Sequence, residues 1–257
     1  MRICTFASGS RGNCTLVSID GRHFLVDAGI SMRRICSNLA TFSLKVTDLD
    51  AIFITHLHSD HISGLAMLCK YYSVPVYAPR STAAHLLVSL SCSREHIHIL
   101  PSGECIHFSG VAVSSFATSH DTEESVGYRF EGKKTFALAT DTGVVTDTVF
   151  KGLCGAHAVL IESNHDVEML KYGPYPYHLK KRILSPKGHL SNDDCAKLAR
   201  SLSEGGTQYI VLGHLSRENN TPGKALAAVN CLLSGSDTHI YIAPESEPLT
   251  LELGGEC

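Results

Sequence analysis

The chain has 257 residues, 44% of them hydrophobic, enough for one large domain or two small ones with a substantial core. Its 22 Lys and Arg against 25 Asp and Glu leave a formal charge of −3, so no global basic field attracts nucleic acid, and phosphates would need a local patch or metal ions. The 10 cysteines include no Cys-x-x-Cys pair, no signal-like apolar segment follows Met1, and no window nears the roughly 18 apolar residues of a membrane span, so we expect a reduced, cytoplasmic, soluble protein.

Three short strands are expected first, over residues 3–6, 14–19 and 23–26, the last two joined by the tight-turn pair Asp20-Gly21. Between the first two lies a glycine-rich loop, Ser8-Gly9-Ser10-Arg11-Gly12-Asn13. A helix over 32–39 precedes a buried strand at 51–54, and one helix over 62–72 follows, then a strand at 74–78 and a helix at 81–90. A meander of strands occupies 97–100, 104–108, 111–116, 126–130 and 135–139, with Glu131-Gly132-Lys133 as one turn. Alternation then resumes, with strands at 158–161 and 209–212 and helices at 167–171 and 178–184. Ser191 and Asp194 fit a capping box for a helix through Leu202, and Pro222 suits a helix start. Strands at 239–242 and 249–253 close the chain. Two face-to-face sheets with helices outside satisfy this order within one α/β domain, although periodicity leaves other α/β arrangements open. Cys4, Cys69 and Cys231 sit in apolar stretches and are expected to be buried thiols.

The densest chemical signal is Thr55-His56-Leu57-His58-Ser59-Asp60-His61, directly after the strand at 51–54. Neutral imidazoles suit zinc-like metals, a carboxylate adds an anionic oxygen, and a rigid strand end fixes their geometry. Later polar groups also follow strand-like runs: His120, Asp141, Glu162 with His165, and His214. The candidates exceed the four ligands of one tetrahedral ion, so two metals are expected. His56, His58 and His120 could hold one, Asp60, His61 and His214 the other, with Asp141 bridging. Two ions roughly 3.5–4 Å apart can activate a bridging water and clamp both oxygens of a phosphoryl displacement.

The His-x-His-x-Asp-His run resembles the signature of the metallo-β-lactamase superfamily. Within it the chain is most similar to the WalJ/YycJ exonuclease family. That finer match runs through Ser8 to Cys14, Val26-Asp27-Ala28-Gly29, Ser119-His120-Asp121, Thr140-Asp141-Thr142-Gly143, Glu162 to Asp166, Gly188 to Asn192 and His214 to Asn220. The resemblance implies a single-domain, four-layer αββα sandwich with a dinuclear zinc or manganese site. It also implies 5′-to-3′ exonuclease action on DNA and a role in DNA repair. Related nucleases carry an inserted clamping domain, which the 73 positions from Asp141 to His214 leave no room for here.

Asp60, His165 and His189 are the candidate catalytic groups: Asp60 to orient the hydroxide, either histidine to protonate the leaving oxygen. Candidate substrate contacts are Ser10, Arg11 and Asn13 of the glycine-rich loop, Lys187 and Ser191 beside the capped helix start, and Asn219, which could equally cap the helix after it. Lys180-Lys181-Arg182 could meet phosphates or form a solvated helix face. Tyr172, Tyr175 and Tyr177 could stack on bases or pack a loop. Asp27 could orient a ligand imidazole or cap a turn. A small-molecule hydrolase of the same superfamily, an RNA-processing nuclease and a non-catalytic binding module are the rival readings.

Overall fold

The computed structural model describes residues 1–90 and 94–254. β1 (Arg2–Ala7), β2 (Cys14–Ile19) and β3 (Arg22–Val26) are followed by α1 (Met32–Ala40), β4 (Ala51–Phe53), α2 (Ser59–Ile62) and α3 (Leu65–Tyr71). Then come β5 (Val76–Ala78), α4 (Arg80–Ser89), β6 (Ile97–Ile99), β7 (Cys105–Phe108), β8 (Val111–Ala117), β9 (Val126–Glu131) and β10 (Thr135–Ala139). The remainder is α5 (Asp147–Leu153), β11 (Ala158–Glu162), α6 (Val167–Tyr172), α7 (Tyr177–Ile183), α8 (Asn192–Glu204), β12 (Tyr209–Gly213), α9 (Pro222–Leu232), β13 (His239–Ile242) and β14 (Leu249–Glu252). The β2–β3 turn has positive φ at both Asp20 and Gly21, as a twisted two-residue hairpin turn requires.

Two seven-stranded sheets form, in the orders β14-β1-β2-β3-β4-β5-β6 and β13-β12-β11-β10-β9-β8-β7. Alternate side chains of each strand enter different cores. Phe24 and Val26 of β3 face the second sheet, where they meet Tyr128, Phe130 and Phe136, while Leu25 between them packs under Ile35 and Leu39 of α1. On the far side, Ala137 and Val159 pack under α5, α8 and α9. Strands covered on both faces must be apolar throughout, hence runs such as Ala51-Ile52-Phe53-Ile54. The result is the expected αββα sandwich in one domain.

This topology aims the strand ends at one edge. β10, β11, β12 and β13 are parallel, and β8 shares their direction because each antiparallel step through β9 reverses it once. β3 and β4 are likewise parallel in the facing sheet. The residues after β3, β4, β8, β10, β11 and β12 therefore emerge together.

Three local readings are corrected. The single helix expected over 62–72 is two, because the chain at Ser63 and Gly64 leans on the loop 28–30. The Ser63 hydroxyl and the Gly64 N–H donate to the carbonyls of Gly29 and Ala28, and a Cβ at position 64 would strike the Ile30 carbonyl. Helix α5 was not anticipated at all. Cys231 is exposed on α9 rather than buried, whereas Cys4 is buried as expected and Cys69 half-buried. The capping box at α8 is present: the Ser191 hydroxyl accepts the Asp194 N–H at 3.1 Å and donates to its carboxylate at 2.9 Å. Ser191→Ala is expected to cost about 1 kcal/mol of stability, read by urea denaturation; an unchanged midpoint would show the cap contributes nothing.

Among the described residues no helix is long and apolar enough to cross a membrane.

Candidate metal centre

At the shared edge, one donor atom from each member of four overlapping groups lies within 4.8 Å of the others: His56, His58 and His120; Asp60, His61 and His214; His56, His61 and Asp141; Asp141, Glu162, His189 and His214. The first two are the trios expected from the sequence. Asp141 joins them, with Oδ2 3.2 Å from His61 Nε2 and Oδ1 3.7 Å from His120 Nε2.

The rings are oriented by partners on their outer nitrogens. His61 Nδ1 lies 2.7 Å from the Asp27 carboxylate, which can only accept, so the proton sits there and Nε2 keeps its lone pair. Thr55 donates its hydroxyl proton to Asp27 and stands 3.0 Å from His56 Nδ1, which fixes that ring likewise. His120 Nδ1 donates to the Gly188 carbonyl at 3.1 Å, and His214 Nδ1 to Glu162 at 2.8 Å. His58 is turned the other way. Its Nε2 faces Asp121 at 3.8 Å, and its Nδ1 points at His120 Nε2, 3.2 Å away. Two lone pairs facing each other at that distance repel unless a cation lies between them.

Three inward atoms, His56 Nε2, Asp141 Oδ2 and His214 Nε2, are buried and make no hydrogen bond. Orphaned donors of this kind are costly in a protein interior, and coordination would satisfy them. The residues present therefore fit divalent ions. Asp27, Asp141 and His214 also adopt left-handed backbone, with φ of 60°, 55° and 53°. Non-glycine residues seldom do so, and such strain gathers where geometry serves a site.

The electrostatics agree. Burial disfavours charge on Asp141, yet His214 and His61 outweigh it and hold the carboxyl well below its usual range. Burial and the neighbouring His61 push the His56 ring well down, leaving it neutral as a ligand must be. Burial likewise opposes charge on Glu162, but His189 and His214 pull it down to about 2.

Glu162 was named in the sequence only as a neighbour of His165. It holds His189 at 2.7 Å as well as His214, and it ends β11 beside Gly213 of β12, a register that parallel pairing alone establishes. Glu162→Gln is expected to weaken metal binding by about tenfold to a hundredfold with the fold retained, measured by titration with a chromophoric chelator.

The proposed catalytic pair separates. His189 is partly exposed at the cluster, and the Glu162 carboxylate overcomes burial to raise its pKa. His165 is 1% exposed, with neither ring nitrogen hydrogen-bonded, so no substrate oxygen can reach it as the acid reading requires. The substrate candidates separate too. Lys187 is exposed and lines, with Ser119 and His120, a cavity of about 490 Å³ beside the centre. Ser10 and Arg11 are exposed, Arg11 lying 3.8 Å from Glu245. Asn13 instead turns inward, its amide donating to the Asp60 carboxylate at 3.2 Å and facing His61 Nε2 at 3.0 Å, so it braces ligands. Ser191 spends its hydroxyl on the α8 cap, and Asn219 is fully buried; neither is placed to touch substrate.

Residues 22–214 match the model of the β-lactamase superfamily domain. The chain is 38% identical over 237 residues to the exodeoxyribonuclease YycJ of Bacillus anthracis, covering 91% of this chain and 89% of that protein. It is 43% identical over 220 residues to the exodeoxyribonuclease WalJ of Streptococcus pneumoniae, covering 83% and 81%. In architecture it is similar to the metallo-β-lactamase fold protein YhfI of Bacillus subtilis, with a TM-score of 0.73 at 16% identity over 98% of this chain and 100% of that one.

Proposed function

The chain belongs to the metallo-β-lactamase superfamily and, within it, to the family of the YycJ and WalJ exodeoxyribonucleases, and from that we propose that it is a two-metal phosphodiesterase that shortens DNA from the 5′ end. The observation that carries the reading is the convergence of seven side chains whose ring orientations leave inward lone pairs, with Asp141 between the two trios. Zinc or manganese suits this set of imidazoles and carboxylates. When bound, two such ions would supply an activated bridging water and neutralise charge on the phosphate.

The chain's own residues do the rest. Asp60, with Oδ2 3.5 Å from His61 and 3.6 Å from His214, adds an anionic oxygen that helps orient the attacking oxygen. His189, held protonated by Glu162, is the general acid for the departing alkoxide. Lys187, at the mouth of the adjoining cavity, meets the phosphate backbone. The reading extends to DNA repair in the cytoplasm, a compartment in which Cys4, Cys14 and Cys195 stay as thiols.

The test is a polarity-resolved digestion of end-labelled single- and double-stranded DNA and RNA, with manganese, zinc or magnesium. Mononucleotides released from the 5′ end of DNA are expected. Preference for RNA, or hydrolysis of a small phosphodiester without any action on DNA, would replace the reading by one of its rivals.

A further inference from the structure

A single-domain nuclease without an inserted clamp must grip its substrate with its own surface. The segment from α6 to the loop bearing His189 is unlike the rest of the chain. From Met169 to Asn192 it contains no Asp or Glu but carries Lys171, Lys180, Lys181, Arg182 and Lys187, in a protein whose net charge is −3. On the same segment Tyr172 and Tyr177 are 84% and 81% exposed. Rings that packed a loop against the domain would be largely covered, so packing does not account for them.

The segment is also fastened to the metal centre. Arg182 pairs with Asp121, next to the ligand His120. The Ser119 hydroxyl donates to the Pro186 carbonyl at 2.8 Å, and His120 donates to that of Gly188. Gly143, two residues after Asp141, lies so close to Ser185 and Gly188 that no side chain fits between. Lys180 reaches back to the Lys171 carbonyl at 2.7 Å, which ties α7 to α6. The basic, aromatic surface thus leads into the catalytic edge through fixed contacts.

We propose that α6 and α7 form a single-strand track, on which Tyr172 and Tyr177 stack bases and Lys171 and Lys181 neutralise phosphates of a strand whose end lies at the metal cluster. Stacking and backbone charge together suit sequence-tolerant holding of single strands. The proposal rests on the phosphodiesterase reading of that cluster. An anionic lipid surface would also attract lysines and tyrosines, but it has no need of anchorage to the ligand His120.

The experiment compares the wild type with Tyr172→Ala/Tyr177→Ala and Lys171→Ala/Lys181→Ala, all manganese-loaded. Binding of a phosphorothioate-linked single-stranded oligonucleotide is read by anisotropy across a salt series, beside hydrolysis of bis(p-nitrophenyl) phosphate and sedimentation with phosphatidylserine vesicles. The tyrosine pair is expected to weaken oligonucleotide binding at least about tenfold. The lysine pair should lower the salt slope by roughly two. Reporter hydrolysis should be unchanged in both. Wild-type affinity in both variants would overturn the track, as would tyrosine-dependent vesicle binding with DNA binding unaltered. A wild type that cleaves the reporter yet binds no oligonucleotide also overturns it while leaving the hydrolytic centre standing. Loss of reporter cleavage by the wild type itself would instead bring down the reading underneath.

Discussion

Asp141→Ala is expected to lower phosphodiester turnover by about a thousandfold or more, equivalent to about 4 kcal/mol on the barrier. The carboxylate is the one group whose two oxygens face both trios, at 3.2 Å from His61 and 3.7 Å from His120. Without it His61 and His214 also lose a charge partner, and the two ions lose the ligand that fixes their separation. Position 141 has φ of 55°, so alanine would carry backbone strain besides the missing charge. Asp141→Asn separates the two effects, because asparagine tolerates left-handed backbone. If charge and bridging matter, both variants fall alike in activity, with the asparagine variant holding its melting temperature better. Normal turnover by a folded, metal-titrated Asp141→Ala protein would refute the two-ion reading.

The ligands were legible because each obeys a rule that sequence carries locally. A continuous apolar run marks a strand covered on both faces, and a polar residue directly after it marks the edge, as at His56, Asp141 and His214. What holds those ligands was largely illegible. Asn13 braces Asp60 and His61 from 47 and 48 residues away, and nothing in the glycine-rich loop announces which way its amide turns. Glu162 and His165 stand three apart and look equally eligible. Parallel pairing of β11 with β12 brings Glu162 to His214, while the chain beyond it turns inward and buries His165. The break between α2 and α3 has a signal, Ser63-Gly64, but its cause is contact with the loop 28–30. Helix α5 has only seven residues, and its marks are a Thr146 cap and the spacing of Val149 and Leu153, too little periodicity to stand out beside long strands.

Metal affinity is expected to fall by about tenfold to a hundredfold for each pH unit of acidification below neutrality, one decade for each proton that must leave. Burial opposes a charge on His214, but Asp141, Asp60 and Glu162 outweigh it and raise its pKa well above the usual histidine range. In the metal-free protein that ring is charged, and its Nε2 proton must leave before Nε2 can coordinate. His61 is contested: burial disfavours its charge, Asp27 and Asp141 favour it more strongly, and the Asn13 amide presents a donor to Nε2. Between one and two protons should therefore be released. The sign for stability runs opposite to that for binding. The raised His214 stabilises the metal-free fold fully below the ordinary histidine value of about 6.5, and that contribution is lost as pH rises through the folded value. Glu162, depressed to about 2, contributes above the ordinary glutamate range and loses its contribution only as pH falls towards that value. Chelated protein should accordingly be most stable in mild acid, whereas the gain in melting temperature on adding zinc or manganese should grow as pH rises. Calorimetric titration in two buffers of different ionisation enthalpy counts the protons. A count of zero, with affinity flat across the range, would mean that His214 is already neutral and that the carboxylates around it do not act as the geometry requires.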